Sequence, residues 1–255
     1  TGENNGVLKS FAIQNDGSLE EISARPAEKS PILAYVHYRR DYEHVFTISY
    51  VGGGVHAYPV DTSGIIGDES GYAKHVGGSG VVESRQLEAH PHSIYTHPGK
   101  PYVYVPDLGQ DAIVHYNFDP GTGKLEMASR LKSTGGGGPR HMAFHSSGSF
   151  AYVNNEITST VDLLSIDEGD GSMEIVDTHS ILPDEFRGPN STAQILLSPD
   201  ERHLYVSNRG HNSIAIFAVG EKGALSSKGH VPSKGRSPRN FSIDPTGKWM
   251  AIINR

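Results

Sequence analysis

Apolar and polar residues alternate in short runs along this chain, and the runs return in the same order about every fifty residues. HPGKPYVYVPDLGQDAI (97–113), HSSGSFAYVNNEITSTV (145–161), SPDERHLYVSNRGHNSI (198–214) and the C-terminal DPTGKWMAIINR (244–255) each hold a turn, a β-branched or aromatic strand and a polar stop. A period of tens of residues marks a repeat architecture. Two registers recur across the copies. One follows a Pro or small residue at the start of a strand: Ile32, His92, Arg140, Ala193, Arg239. The other closes the second strand: Tyr50, Leu108, Glu156, Arg209, Arg255. Their spacings are 60, 48, 53 and 46 against 58, 48, 53 and 46, an agreement that chance alignment does not give.

Each copy predicts four strands. From His92 they read HSIYT, YVYVP, AIVHYNF and LEMASRL, and the third strand recurs as VHAYPVD (55–61), VDLLSID (161–167) and IAIFAVG (214–220). The turn after it recurs as DGSL, TGKL, DGSM and KGAL, where Gly supplies the positive φ of a hairpin. Four short antiparallel strands per repeat, without helical periodicity, predict an all-β chain built as a β-propeller; a β-sandwich is the alternative fold. The first element, GVLKSFAIQNDGSLEEI, reads as the third and fourth strands of a blade, and the last, RNFSIDPTGKWMAIINR, as the first and second. About five blade equivalents are expected, in one domain over 1–255. The two ends either close one blade between them or are the cut edges of a larger propeller, and the abrupt stop on a strand-terminal residue favours the second.

Composition narrows the function. The chain has 255 residues, no cysteine and a formal charge of −7, which excludes disulfides and thiolate chemistry and argues against nucleic acid as a partner. No apolar run approaches the ~20 residues of a membrane helix, so no membrane partner is expected. The N-terminal TGENNGVLKSF lacks a basic and an apolar segment, so a cytoplasmic location is the expectation. No metal-ligand spacing stands out and no cofactor is expected.

In a propeller the first strands line a central channel, and both registers open on the same rim. His92, Arg140, Glu156, Arg209, Arg239 and Arg255 are therefore candidates for one mouth, with His90, His141 and His211 beside them. Ionisable groups there need partners or a ligand. Glu156 pairing with the arginines across the channel is one reading; the surplus of arginines over carboxylates, inviting an anion, is the other. His37, His97 and His145 stand just before turns and read as turn caps. Gly52 to Gly54 and Gly135 to Gly138 lack the following Lys-Ser/Thr of a phosphate loop and read as connections.

At SYVGGGVHAYPVD, EAHPHSI, VPDLGQD, GPRHMAFH, YVNNEITSTV, LSPDERHLYVSNRGHNSIAIF and SPRNFSIDPTGK the chain resembles the propeller-type 6-phosphogluconolactonases, a family that also includes fungal carboxymuconate cycloisomerases. The resemblance covers essentially the whole chain. It implies a seven-bladed ring that is incomplete here, and a hydrolase of glucose and pentose phosphate metabolism. It points to His92, Arg140, Glu156 and Arg209 as the catalytic cleft. Relatives tend to carry an acidic residue where this chain has Gln194.

Opening a δ-lactone requires a positioned water, a base and stabilisation of an oxyanion. His92 is the expected base, Glu156 its orienting partner, and Arg140 and Arg209 a clamp for phosphate or carboxylate. His90, His141, His211 and Arg239 are expected to bind substrate, a small anionic sugar lactone. The alternatives are a muconate cycloisomerase using the same cleft and a non-catalytic interaction platform.

Overall fold

The computed structural model describes residues 6–29 and 32–255. Strands are the dominant element, and their order is the one the repeats dictate. β1 (Val7–Ile13) and β2 (Leu19–Pro26) form a two-stranded sheet. Four four-stranded sheets follow: β3 (Ile32–Arg39), β4 (His44–Val51), β5 (Gly54–Pro59) and β6 (Gly71–Lys74); β7 (Tyr95–Thr96), β8 (Tyr102–Asp107), β9 (Ala112–Phe118) and β10 (Leu125–Lys132); β11 (Pro139–Phe144), β12 (Phe150–Asn155), β13 (Thr160–Ile166) and β14 (Met173–Ser180); β15 (Thr192–Leu197), β16 (His203–Asn208), β17 (Ser213–Val219) and β18 (Leu225–Pro232). β19 (Pro238–Ile243) and β20 (Met250–Asn254) pair as the last two-stranded sheet. Each four-stranded sheet runs in chain order, a meander closed by hairpins.

Contacts divide the chain into two compact units: Thr1–Thr96 with Lys100–Gln110 and Val114–Ser129, and His97–Gly99 with Asp111–Ile113 and Arg130–Arg255. In each, the second and third strands are mostly buried and the long fourth strands β10, β14 and β18 are mostly exposed, as a sheet covered on both faces at its inner strands and less so at its edge requires. The first unit packs Phe46, Ile48, Val55, Ile94, Val103 and Val114 into one core. The second packs Tyr152, Leu163, Ile195, Leu204, Val206 and Phe217.

A loop motif repeats in the second unit. Three residues beyond Leu108, Glu156 and Arg209 stand Asp111, Ser159 and Asn212, with φ of 53°, 58° and 57°. Their carbonyls accept the N–H of Ser133, Ile181 and Ser233 at 2.8, 3.1 and 2.9 Å, tying each sheet's inner turn to the connection that leaves it. Asp111 also caps the tetraglycine stretch, accepting the N–H of Gly136 at 2.6 Å and of Gly138 at 2.8 Å. Those amides are therefore engaged by a carboxylate of the chain, and the stretch serves as a connection rather than a phosphate cradle.

Candidate functional site

The first register is a row of β-bulges. In β11 the ladder passes from Pro139–Asn155 to His141–Asn154 and leaves Arg140 over; in β19 it passes from Pro238–Asn254 to Asn240–Ile253 and leaves Arg239 over. In β15 the pairs Thr192–Asn208 and Ile195–Val206 leave Ala193 and Gln194 opposite Ser207 alone. A bulge bends the strand and re-aims the extra side chain, which is why one position in each copy carries the chemistry. In β3 the residue in this place is Ala34, not the expected Ile32: Leu33 faces Ser49 and Tyr35 faces Ile48. Ala34 precedes His92 by 58 residues, the same separation as Tyr50 from Leu108, so the two registers coincide once β3 is shifted by two. The exposed Ile32 faces no site.

The same shift corrects His37. It lies inside β3 opposite Phe46, with Nε2 2.9 Å from Thr96 Oγ1, and it is not a turn cap. His97 and His145 are: Nδ1 of His97 accepts the Gly99 N–H at 3.0 Å, and Nδ1 of His145 accepts the Ser147 N–H at 3.2 Å.

Arg140, Glu156 and Arg209 meet in the second unit. Glu156 follows β12, its N–H donating to Gly138 O at 2.8 Å, and Arg209 follows β16 in the same way, donating to Ser191 O at 2.9 Å. Arg140 Nε donates to Glu156 Oε2 at 2.7 Å, and Arg209 Nη2 lies 3.0 Å from that oxygen. Arg209 Nη2 also donates to Thr192 O at 2.6 Å, and Arg140 Nη1 to Ala193 O. The pairing across the site anticipated as the structural reading is thus present. Arg140 is only 2% exposed. Burial, opposed by Glu156 and reinforced by the neighbouring charges of Arg209 and Arg239, lowers its guanidinium to about 10. It remains charged at neutral pH, held by Glu156 and the Ala193 carbonyl rather than extended as a clamp.

His141 completes this cluster through Gln194. An amide oxygen only accepts, so His141 Nδ1 donates to Gln194 Oε1 at 2.5 Å, and Nε2 accepts from Arg140 Nη1 at 3.1 Å. Gln194 therefore performs, without charge, the accepting role a carboxylate would have there. Both ring nitrogens of His141 are engaged, which suits holding the guanidinium more than moving a proton. Asn154, fully buried, ties the group together: its Oδ1 accepts the His141 N–H at 3.0 Å and its Nδ2 donates to Thr192 Oγ1 and Ala193 O at 2.6 and 3.1 Å.

Arg239 is exposed and acts on Arg140 through space. Arg255 is exposed at the end of the described chain. His211 belongs elsewhere in this unit: Nδ1 is 2.7 Å from Ser213 Oγ, and the ring meets Phe186 and His230 edge-on. Burial, and then His230, lower its pKa.

His92 and His90 lie in the first unit and share Tyr50. The His92 ring stands edge-on to Tyr50 at 5.3 Å, and its N–H donates to Pro106 O at 2.9 Å. His90 stacks flat on Tyr50 at 4.5 Å. Sequence reasoning placed Tyr50 in a register without a role, and it passed over Asn154, His75 and Asp107. For Asp107 the available signal was its place at a strand end where other repeats carry Asn155, Asn208 and Asn254.

Comparison with known proteins agrees with this architecture. Residues 1–255 match the family described as Lactonase, 7-bladed beta-propeller. An uncharacterized protein of Staphylococcus epidermidis is 34% identical over 256 residues, covering all of this chain and 73% of that protein. The periplasmic gluconolactonase PpgL of Pseudomonas aeruginosa superposes with a TM-score of 0.91 at 28% identity, over all of this chain and 72% of that one. A Bacteroides fragilis protein provisionally described as a 6-phosphogluconolactonase superposes at 0.86, with 28% identity over 98% of this chain and 70% of that one.

Proposed function

Because the chain belongs to the lactonase family of seven-bladed β-propellers, we propose that it hydrolyses a sugar δ-lactone of the gluconolactone class, with the 6-phosphorylated form as the preferred substrate. The observation that carries this reading is the buried carboxylate of Glu156 between Arg140 and Arg209, with Arg239 adding a further positive charge. One carboxylate balances one of three arginines, so the group retains a net positive field. That field suits a substrate bearing a phosphate and a reaction that develops an oxyanion.

Arg209 and the exposed Arg239 meet the anionic end of the substrate. Arg140, held by Glu156 and His141, is the fixed part of the field. The reaction itself needs a base: an imidazole takes a proton from water as the water oxygen bonds to the lactone carbonyl carbon. The tetrahedral oxyanion then collapses, the ring C–O bond breaks, and the proton returns to the departing ring oxygen. The sequence register puts His92 first for that role. General acid–base help of this kind is worth about 10²–10⁴ in rate.

Hydrolysis of gluconolactone and of 6-phosphogluconolactone by the wild type, Arg209→Ala and Arg239→Ala tests the reading. A charge-assisted hydrogen bond is worth about 1.5–3 kcal/mol, so each variant raises KM for the phosphorylated lactone by roughly tenfold or more and leaves the plain lactone much less affected. Equal losses on both substrates remove phosphate recognition from the account.

A further inference from the structure

The first unit holds a second polar cluster that the arginine group does not use. Asp107 ends β8 where other repeats place Asn155, Asn208 and Asn254, and its side chain is fully buried. Its Oδ2 lies 2.6 Å from His75 Nδ1, and its Oδ1 accepts the N–H of His90 and of Gln110 at 2.8 Å each. A carboxylate only accepts, so His75 Nδ1 carries the proton and Nε2 accepts from the Tyr116 hydroxyl at 2.7 Å. The chain Tyr116–His75–Asp107 therefore terminates on the backbone of His90.

The ring of His90 is fixed as well. Its Nδ1 lies 3.0 Å from the carbonyl oxygen of Tyr50. A carbonyl cannot donate, so Nδ1 carries the hydrogen, and the neutral ring has its lone pair at Nε2. The Tyr50 ring lies parallel to within 10° and covers one face. Nε2 has no hydrogen-bond partner among the described residues and is not enclosed. Backbone, tautomer and ring plane are thus set before any substrate arrives, and the basic nitrogen is the one left open.

We propose that His90 accepts the proton of the attacking water at Nε2, with Tyr50 and Asp107 as positioning residues. This rests on the lactonase reading and assigns its base. The water oxygen bonds to the carbonyl carbon as its proton passes to Nε2; the imidazolium returns that proton to the ring oxygen as the C–O bond breaks. The titratable groups around His90 are Asp107 at the end of β8, Tyr50 at the end of β4 and His92 on its own turn, with His75 behind Asp107.

The test is the pH dependence of lactone hydrolysis, with gluconolactone and 6-phosphogluconolactone as probes, for the wild type, His90→Gln and His92→Gln. In His90→Gln, kcat falls by about 100-fold or more, KM moves little and the acid-side decline in kcat/KM is lost; His92→Gln keeps that decline. Added imidazole restores part of the rate of His90→Ala. The opposite result, with the decline lost in His92→Gln and kept in His90→Gln, overturns the proposal and leaves the lactonase reading standing. A wild type inactive on both lactones overturns that reading and the base with it. Nitrogen NMR of the wild-type imidazoles checks the geometry without a variant: neutral His90 protonated at Nδ1 supports the proposal, and protonation at Nε2 contradicts it.

Discussion

Arg140 Nε sits 2.7 Å from Glu156 Oε2, the two side chains 3% and 7% exposed. A pair this buried is costly to assemble and more costly to break, at about 3–5 kcal/mol when one partner is removed. Glu156→Gln keeps an acceptor for Arg140 but leaves the surrounding arginines without the charge between them. Its melting temperature is expected to fall by about 5–10 °C, and inorganic phosphate should recover part of the loss by supplying the missing anion. Thermal melts with and without phosphate check this. A melting temperature unchanged in both conditions would show that the carboxylate does not hold the arginines.

Gln194→Glu tests the contact with His141. A carboxylate 2.5 Å from Nδ1 favours the imidazolium, so the pH at which His141 titrates should rise by about one unit or more. The added negative charge beside Arg140 should also raise KM for 6-phosphogluconolactone. NMR titration of His141 in both proteins reads the first effect, and an unmoved titration would break the pairing.

His37 gives the protein an acid-sensitive term. Burial, and then the nearby Arg39, lower its pKa to about 4, against an ordinary value of about 6.5 in the unfolded chain. The neutral ring's stability is fully present above pH 6.5 and is lost as the pH falls toward 4, because the unfolded chain binds the proton first. His56 is lowered in the same direction, mainly by burial. Urea unfolding should show His37 costing the wild type roughly 2.5 kcal/mol between pH 7 and 4.5, a loss that His37→Gln reduces by that amount. Identical pH dependence in the two proteins would contradict it.

The strands and both registers were legible in the sequence because each repeat is short and punctuated by its own hairpin glycine. The β3 register was not, since two shifts lie within three residues there, and a pattern of alternation cannot count residues across a bulge. Arg140, Glu156 and Arg209 could be grouped from their positions alone. Their detailed contacts could not: His141 meets Gln194 across 53 residues of chain, and which bonds commit Arg140 depends on the angle between neighbouring strands. Tyr50 was visible as a register position, but its stacking on His90 follows only from how the loops are placed.

Gly210 is a position in the RGHNSI segment where no side chain fits. A Cβ there would run into the carbonyl oxygen of Pro189, and Gly109 meets Glu88 in the same way. Gly210→Ala must displace the loop carrying Asn190, whose Oδ1 accepts the N–H of Gly210 and His211 at 2.9 and 3.1 Å. The variant should lose about 2 kcal/mol or more of stability, measured by urea unfolding. A loss below about 0.5 kcal/mol would mean that the loop yields freely.

The lactonase assignment is tested most directly by following acid release when the purified protein is given 6-phosphogluconolactone, gluconolactone and carboxymuconate in parallel. The account expects both lactones to open faster than their spontaneous hydrolysis, with the higher kcat/KM on the phosphorylated one and no turnover of the muconate. Turnover of carboxymuconate with neither lactone opened would contradict it.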